Sequence, residues 1–132
     1  MLEIFKALGD ESRLRIVNLL MENTLCVCEI EVMLDMNQSN VSRHLGKLKA
    51  AGIIVSRKEA QWVRHVIEDA FISEHAQLYN YLVKKFSEEE DYLKDRQRLR
   101  TYLDSSLTCQ MITEDKIYVI EQLNHSIGTV KG

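Results

Sequence analysis

Apolar positions along this chain fall at helical spacing in two blocks, with one short run of β-forming residues between them. Leu2 to Leu8 reads as a short amphipathic helix that ends at Gly9. Asp10 is a good N-cap for a second helix from Glu11 to about Glu22, with Leu14, Val17, Leu20 and Met21 as its inward stripe. Asn23 and Thr24 end it. A third helix runs from Cys26 to Asp35 and offers Val27, Ile30, Val32, Met33 and Leu34 to a core. Met36 and Asn37 form a tight turn, with Asn37 the cap of a fourth helix from Gln38 to Ala51. Val41, Leu45 and Leu48 stand at i, i+4 and i+7 and face inward, and Gly52 suits the position just past the end. The outer face is left to Ser39, Asn40, Ser42, Arg43, Gly46 and Lys47, which are small and polar.

The period then changes. Ile53-Ile54-Val55 and Trp62 to Ile67 read as two strands around a charged tip, a hairpin or wing. Phe71 to Phe86 reads as one long helix, with Ile72, Ala76, Tyr79, Val83 and Phe86 on one stripe. Ser87-Glu88-Glu89-Glu90 has the pattern of a capping box and predicts a further helix to about Leu103, with one bent helix across Ser87 as the alternative. The expected organisation is a winged helix-turn-helix and dimerisation domain over residues 1–104. A tail follows over 105–132, with a short helix from about Glu114 to Asn124. The fold class is mainly α with a small β-hairpin wing, helices of the N- and C-terminal parts forming a dimer interface.

Charge sharpens this picture. The net charge of −3 argues against a nucleic-acid partner, but the average conceals a pattern. Met36 to Ile67 carries Arg43, Lys47, Lys49, Arg57, Lys58 and Arg64 against Glu59 alone, while the segments on either side are acidic. The one basic segment is also the one that carries the polar fourth helix and the wing, so a DNA partner fits best. Ser39, Asn40, Ser42 and Arg43 are placed for base edges and nearby phosphates, with Gln38 at the head of the same face. His44 and Lys47 are assigned to phosphate or solvent, and Arg57, Lys58 and Arg64 to the flanking backbone or minor groove.

The remaining chemistry is sulfur. Three cysteines are an odd count, which argues against a disulfide framework and leaves free thiols as ligands or redox sensors. Cys26 and Cys28 lie one residue apart at the start of the third helix. Their plain reading is two small buried hydrophobes. Residues i and i+2 of a regular helix diverge by about 200°, so one soft ion holds both only if the helix start unwinds. A helix start also favours the thiolate. No apolar run approaches the roughly 18–20 residues of a membrane span, and the first residues lack a signal-peptide core, so a cytoplasmic location without membrane contact is expected. No acid–base pair, nucleophile–base set or phosphate loop stands out, which sets aside an enzyme or an organic cofactor.

Ala7 to Ile16, Gln38 to Leu45 and Ala50 to Ile54, set in the order of three helices, turn, helix, wing and helix, closely resemble the ArsR/SmtB family of winged-helix metalloregulators. The resemblance covers roughly Leu2 to Phe86. It implies a homodimeric repressor that releases operator DNA on binding a metal or metalloid. Leu25 to Ile30 resembles the third-helix thiol motif of the arsenic- and cadmium-responsive branches, which makes Cys26 and Cys28 the implied ligands of As(III). Sb(III), Cd(II) and Pb(II) are alternative inducers, and thiol oxidation is a further alternative signal. A winged-helix interaction module with structural cysteines is the rival from another class, but it has no need of the basic stripe. The chain departs from the family pattern in four places. Glu31 stands where the arsenic motif often has a third Cys, and no Cys precedes Cys26. The wing tip reads Glu59-Ala60 where a Gly is usual. Asp69-Ala70-Phe71, with Leu82 and Lys85 further on, does not match the family's zinc site, so none is expected there. As(III) prefers three thiolates; Cys109, whose plain reading is a free thiol in the tail, is the one other thiol available to supply the third, from either subunit.

Overall fold

A computed structural model describes the backbone of residues 1–131 and the side chains of residues 1–127. The chain begins with α1 (Leu2–Leu8), α2 (Glu11–Glu22), α3 (Val27–Leu34) and α4 (Gln38–Ala50). An antiparallel hairpin follows, β1 (Ile54–Glu59) and β2 (Trp62–Ile67), in a register that pairs Ile54 with Ile67 and Glu59 with Trp62. Then come α5 (Asp69–Glu74), α6 (Ala76–Glu88), α7 (Glu90–Asp104), α8 (Cys109–Glu114) and α9 (Lys116–Lys131).

The caps read from the sequence form as expected. Asp10 accepts from the N–H of Arg13 at 3.1 Å, and Asn37 from the N–H of Asn40 at 2.9 Å. Gly52 takes φ +77 just past α4, the conformation in which a Cβ is penalised. Val41, Leu45 and Leu48 are buried. On α2 the inward stripe is shifted, with Ile16, Val17, Leu19 and Leu20 buried and Leu14 and Met21 only half-buried.

The C-terminal half differs from expectation. The long helix expected over 71–86 kinks at His75 (φ −125, ψ 44), although hydrogen bonds continue across the kink from His75 N–H to Phe71 and from Tyr79 N–H to His75. The buried Phe71 ring packs against both His75 and Tyr79 at that point. Ser87 does not cap a new helix. Its hydroxyl bonds back to the carbonyl of Lys84, a mid-helix habit of serine, and α6 runs on to Glu88. Residues 71–104 therefore contribute to three helices.

The tail forms two helices instead of one. Ile112, Val119 and Leu123 belong to the same hydrophobic cluster as the winged-helix core. Polar clamps hold these late helices to the early ones. Arg15 makes a forked pair with Asp95 at 2.8 and 3.0 Å, Arg98 donates to the carbonyl of Val32, and Lys116 donates to Glu31 at 2.9 Å. No helix among the described residues is long and apolar enough to cross a membrane.

Candidate functional site: a thiol cluster at the start of the third helix

Cys26 does not lie inside α3. It is the residue that caps it, in extended conformation (φ −85, ψ 163). That geometry frees its side chain from the divergence a helix imposes on positions i and i+2. Cys28, in the first turn of α3, is half-buried. Cys109 is the first residue of α8, whose cap Thr108 accepts from the N–H of Met111 at 3.2 Å. Because α8 packs on α3, the buried Cys109 thiol is within hydrogen-bonding reach of both Cys26 and Cys28. The sulfurs of Cys26 and Cys109 and a carboxylate oxygen of Glu29 lie within 4.8 Å of one another. All three cysteines are free thiols.

Burial pushes the Cys26 thiol up to about 12, with the neighbouring Cys109 and Glu29 adding to the rise. The hydrogen bond to Cys109, then burial, push Cys28 up as well. Cys109 moves the other way, because a hydrogen bond from Cys28 favours its thiolate against the opposing effect of burial. A lowered Cys26 pKa, expected from its place at a helix start, is thus corrected: loss of water outweighs the helix end.

Glu29 is the residue that sequence reasoning passed over. It is buried, and both its oxygens are engaged. Oε1 accepts from the Cys26 N–H at 2.9 Å and lies 3.5 Å from the Arg64 guanidinium, and Oε2 accepts from the Tyr102 hydroxyl at 2.7 Å. Its position three residues after the cap was a readable signal, since an acid there reaches back to the cap N–H. Glu31, by contrast, points away to Lys116. A cleft of about 410 Å³, lined by Glu29, Arg64, Tyr102, Thr108 and Cys109, opens the pocket to solvent.

Two connections run from this pocket to the elements expected at DNA. Leu25, next to Cys26, exchanges backbone hydrogen bonds with His65 of β2 at 3.3 and 2.8 Å, a short third rung on the wing. Lys116, close after α8, donates to the carbonyl of Met36 at 3.4 Å, immediately before the α4 cap.

Gln38, Ser39, Ser42, Arg43 and Lys47 are exposed on α4, with Asn40 half-exposed beside them. Arg57 and Lys58 are exposed on β1. Two expected contact residues are placed elsewhere. His44 is buried, its Nδ1 3.1 Å from the Arg13 guanidinium, and burial lowers its pKa. Arg64 turns inward to Glu29, to the carbonyl of Thr24 and to Glu59 at 3.2 Å, so it braces the thiol pocket. The reason is the same in both cases: a partner from a distant segment claims the side chain.

A helix-turn-helix with a polar outer face, flanked by a charged hairpin and built over a single core, defines a winged helix-turn-helix transcriptional regulator. Residues 10–56 match the arsR family of bacterial regulatory proteins. The chain is 46% identical over 81 residues to an uncharacterised HTH-type transcriptional regulator of Methanocaldococcus jannaschii, a match covering 61% of this chain and 91% of that one. It is 45% identical over 65 residues to the arsenical resistance operon repressor of Escherichia coli, covering 48% of this chain and 56% of the repressor. Among solved structures, the homodimeric winged helix-turn-helix DNA-binding domain of a possible ArsR-family regulator from Mycobacterium bovis superposes with a TM-score of 0.55 at 25% identity, over 63% of this chain and 77% of that one. The chain belongs to the arsR family. Its function is therefore transcriptional regulation and not enzymatic catalysis.

Proposed function

We propose that this regulator is a metalloid-responsive repressor that binds operator DNA as a dimer and releases it when Cys26, Cys28 and Cys109 take up As(III). The observation that carries the reading is that Cys26 and Cys109, from two distant segments, meet with Glu29 within 4.8 Å of one another beside a cleft open to solvent, with the half-buried Cys28 within hydrogen-bonding reach of Cys109. Thiolate sulfur suits soft, trigonal ions, and all three cysteines are free to offer it. Bound As(III) supplies a centre that favours three sulfur donors.

The residues suggest how release follows. Drawing Cys26 and Cys28 toward Cys109 strains the cap of α3, which packs on α4. It also pulls Leu25, and with it β2. Either displacement tilts the α4 face and the wing away from the pose that fits a groove. A coupling of roughly 1–3 kcal/mol suffices to lower operator affinity many-fold. Dimer formation is favoured by apolar residues left uncovered on α1 and α6, among them Leu2, Phe5, Tyr81 and Val83. It also fits the homodimeric state of the similar Mycobacterium bovis domain. Two copies would present two α4 helices to successive half-sites.

The test is operator release by the reduced protein under titration with As(III), Cd(II) and Zn(II). As(III) should release the wild type and leave a Cys26→Ser/Cys28→Ser variant on its DNA. Release of that variant at the same As(III) concentration refutes the proposal.

A further inference from the structure

Resting on the three-thiol reading, we infer that the Glu29–Arg64 pair makes the pocket select trivalent As(III) over soft divalent ions such as Cd(II), by balancing the buried charge. Glu29 and Arg64 are the charged side chains that act on Cys26, with carboxylate and guanidinium 3.5 Å apart. Glu29 is 4% exposed and its carboxylate lies beside the Cys26 and Cys109 sulfurs. Arg64 also meets Glu59, but that carboxylate is at the exposed wing tip, where water and salt screen it. Inside the pocket the pair sums to zero.

The ions then differ in what they leave behind. Three thiols pass their protons to the three hydroxides of arsenous acid, which depart as three waters while three As–S bonds replace three As–O bonds. The product is neutral, and with Glu29 and Arg64 in place the pocket stays neutral. Three thiols that bind Cd(II) must instead release three protons to water, leaving the metal and its thiolates with one negative charge. A buried net charge is costly unless it is paired, and Arg64 is already paired. Glu29 is poorly placed to serve as a fourth, oxygen ligand that would rescue Cd(II). Both its oxygens are engaged, by Cys26, Arg64 and Tyr102, and its own charge would deepen the imbalance.

Single changes at Glu29 or Arg64 shift this charge balance in opposite directions. Glu29→Gln keeps the shape and leaves Arg64 unbalanced, so the pocket then matches a divalent ion. Arg64→Gln leaves Glu29 unbalanced and penalises a divalent ion further. Glu29→Gln/Arg64→Gln restores the balance. Tyr102→Phe removes a hydrogen bond without altering charge, so any weakening should fall on both ions together.

The experiment measures As(III) and Cd(II) affinity on each full-length reduced protein, Cd(II) by its thiolate charge-transfer absorbance and As(III) by competition. The readout is the ratio of the two dissociation constants, which general loosening of the pocket does not move. Glu29→Gln should shift the ratio toward Cd(II) on the order of tenfold, and the double variant should return it to the wild-type value. An unmoved ratio in Glu29→Gln, or no return in the double variant, overturns the inference. If Glu29→Gln fails to fold, Arg64→Gln decides alone: a shift toward As(III) supports the inference, and no shift overturns it. Failure of the underlying site reads differently. A wild type that binds neither ion, or a Cys109→Ser protein with undiminished As(III) affinity, overturns both.

Discussion

The hydroxyl of Tyr102 on α7 donates a 2.7 Å hydrogen bond to Oε2 of Glu29 on α3, across 73 residues of chain. Both residues are buried, so the bond is shielded from competing water. It fixes the carboxylate that in turn holds the Cys26 N–H, and thereby ties the cap of α3 to the C-terminal helices. Tyr102→Phe leaves a buried carboxylate oxygen without its donor. Chemical denaturation should show a loss on the order of 1–3 kcal/mol. A variant as stable as the wild type would mean that water replaces the hydroxyl freely.

The third sulfur has its own test. X-ray absorption on the As(III) complex should show three sulfur scatterers in the wild type. In Cys109→Ser it should show two sulfurs and a lighter atom. A three-sulfur shell that persists in the variant excludes Cys109 and points to an external thiol.

What the sequence revealed divides along chemical lines. Features set by near neighbours were legible: the caps Asp10 and Asn37, the glycine at 52, the inward face of α4 and the hairpin. Each depends on hydrogen bonds or periodicity within a few residues. Features set by distant partners were not. His44 looked like part of a DNA face because nothing nearby marks Arg13 as its neighbour. Arg64 looked like a wing cation because Glu29 lies 35 residues away. The kink at His75 has no Gly or Pro to announce it. For the site itself, Cys26 and Cys28 could be singled out, whereas the position of Cys109 depends on α8 packing on α3.

The wing tip offers a test of backbone strain. Ala60 takes φ +54, a conformation that costs a residue with a Cβ about 1–2 kcal/mol. Ala60→Gly relieves it but gives the unfolded chain more freedom, so the net gain should be at most about 1 kcal/mol. Gly52→Ala should have the opposite sign. A Cβ there meets nothing within 4 Å, so the cost of roughly 1 kcal/mol is backbone strain alone. Thermal melts of the two variants should shift in opposite directions.

The division of labour on the basic segment is equally testable. Arg43 is exposed on α4, where its guanidinium is steadied by the side chain of Asn40 at 3.3 Å. Arg43→Ala should weaken operator binding by about 1–3 kcal/mol with the fold intact. Arg57→Ala/Lys58→Ala should weaken binding to all sequences alike and flatten its salt dependence. His44→Ala should instead lower stability, since that ring is buried between α4 and the start of α2. Wild-type operator affinity in both the Arg43 and the wing variants would exclude this docking face.

Acid should loosen the wing before it alters the thiols. His65 is buried, its Nδ1 faces Ser56 at 3.1 Å, and its Nε2 has no hydrogen-bond partner among the described residues. Burial, with Lys49 adding to it, lowers its pKa from 6.5 to about 4. The folded state therefore resists a proton that the unfolded chain accepts. Stability from this residue is fully present above about pH 6.5 and is lost as the pH falls toward 4. The loss can reach about 3 kcal/mol if His65 stays neutral throughout. His44, also lowered by burial, adds to it with the same sign. Urea unfolding at pH 7.5 and pH 4.5 should show this difference, and His65→Gln should reduce it. Because His65 pairs through its backbone with Leu25, the residue before Cys26, hydrogen exchange at Leu25 should rise over the same pH interval. Equal unfolding free energies at the two pH values would show that the imidazole takes up its proton within the fold.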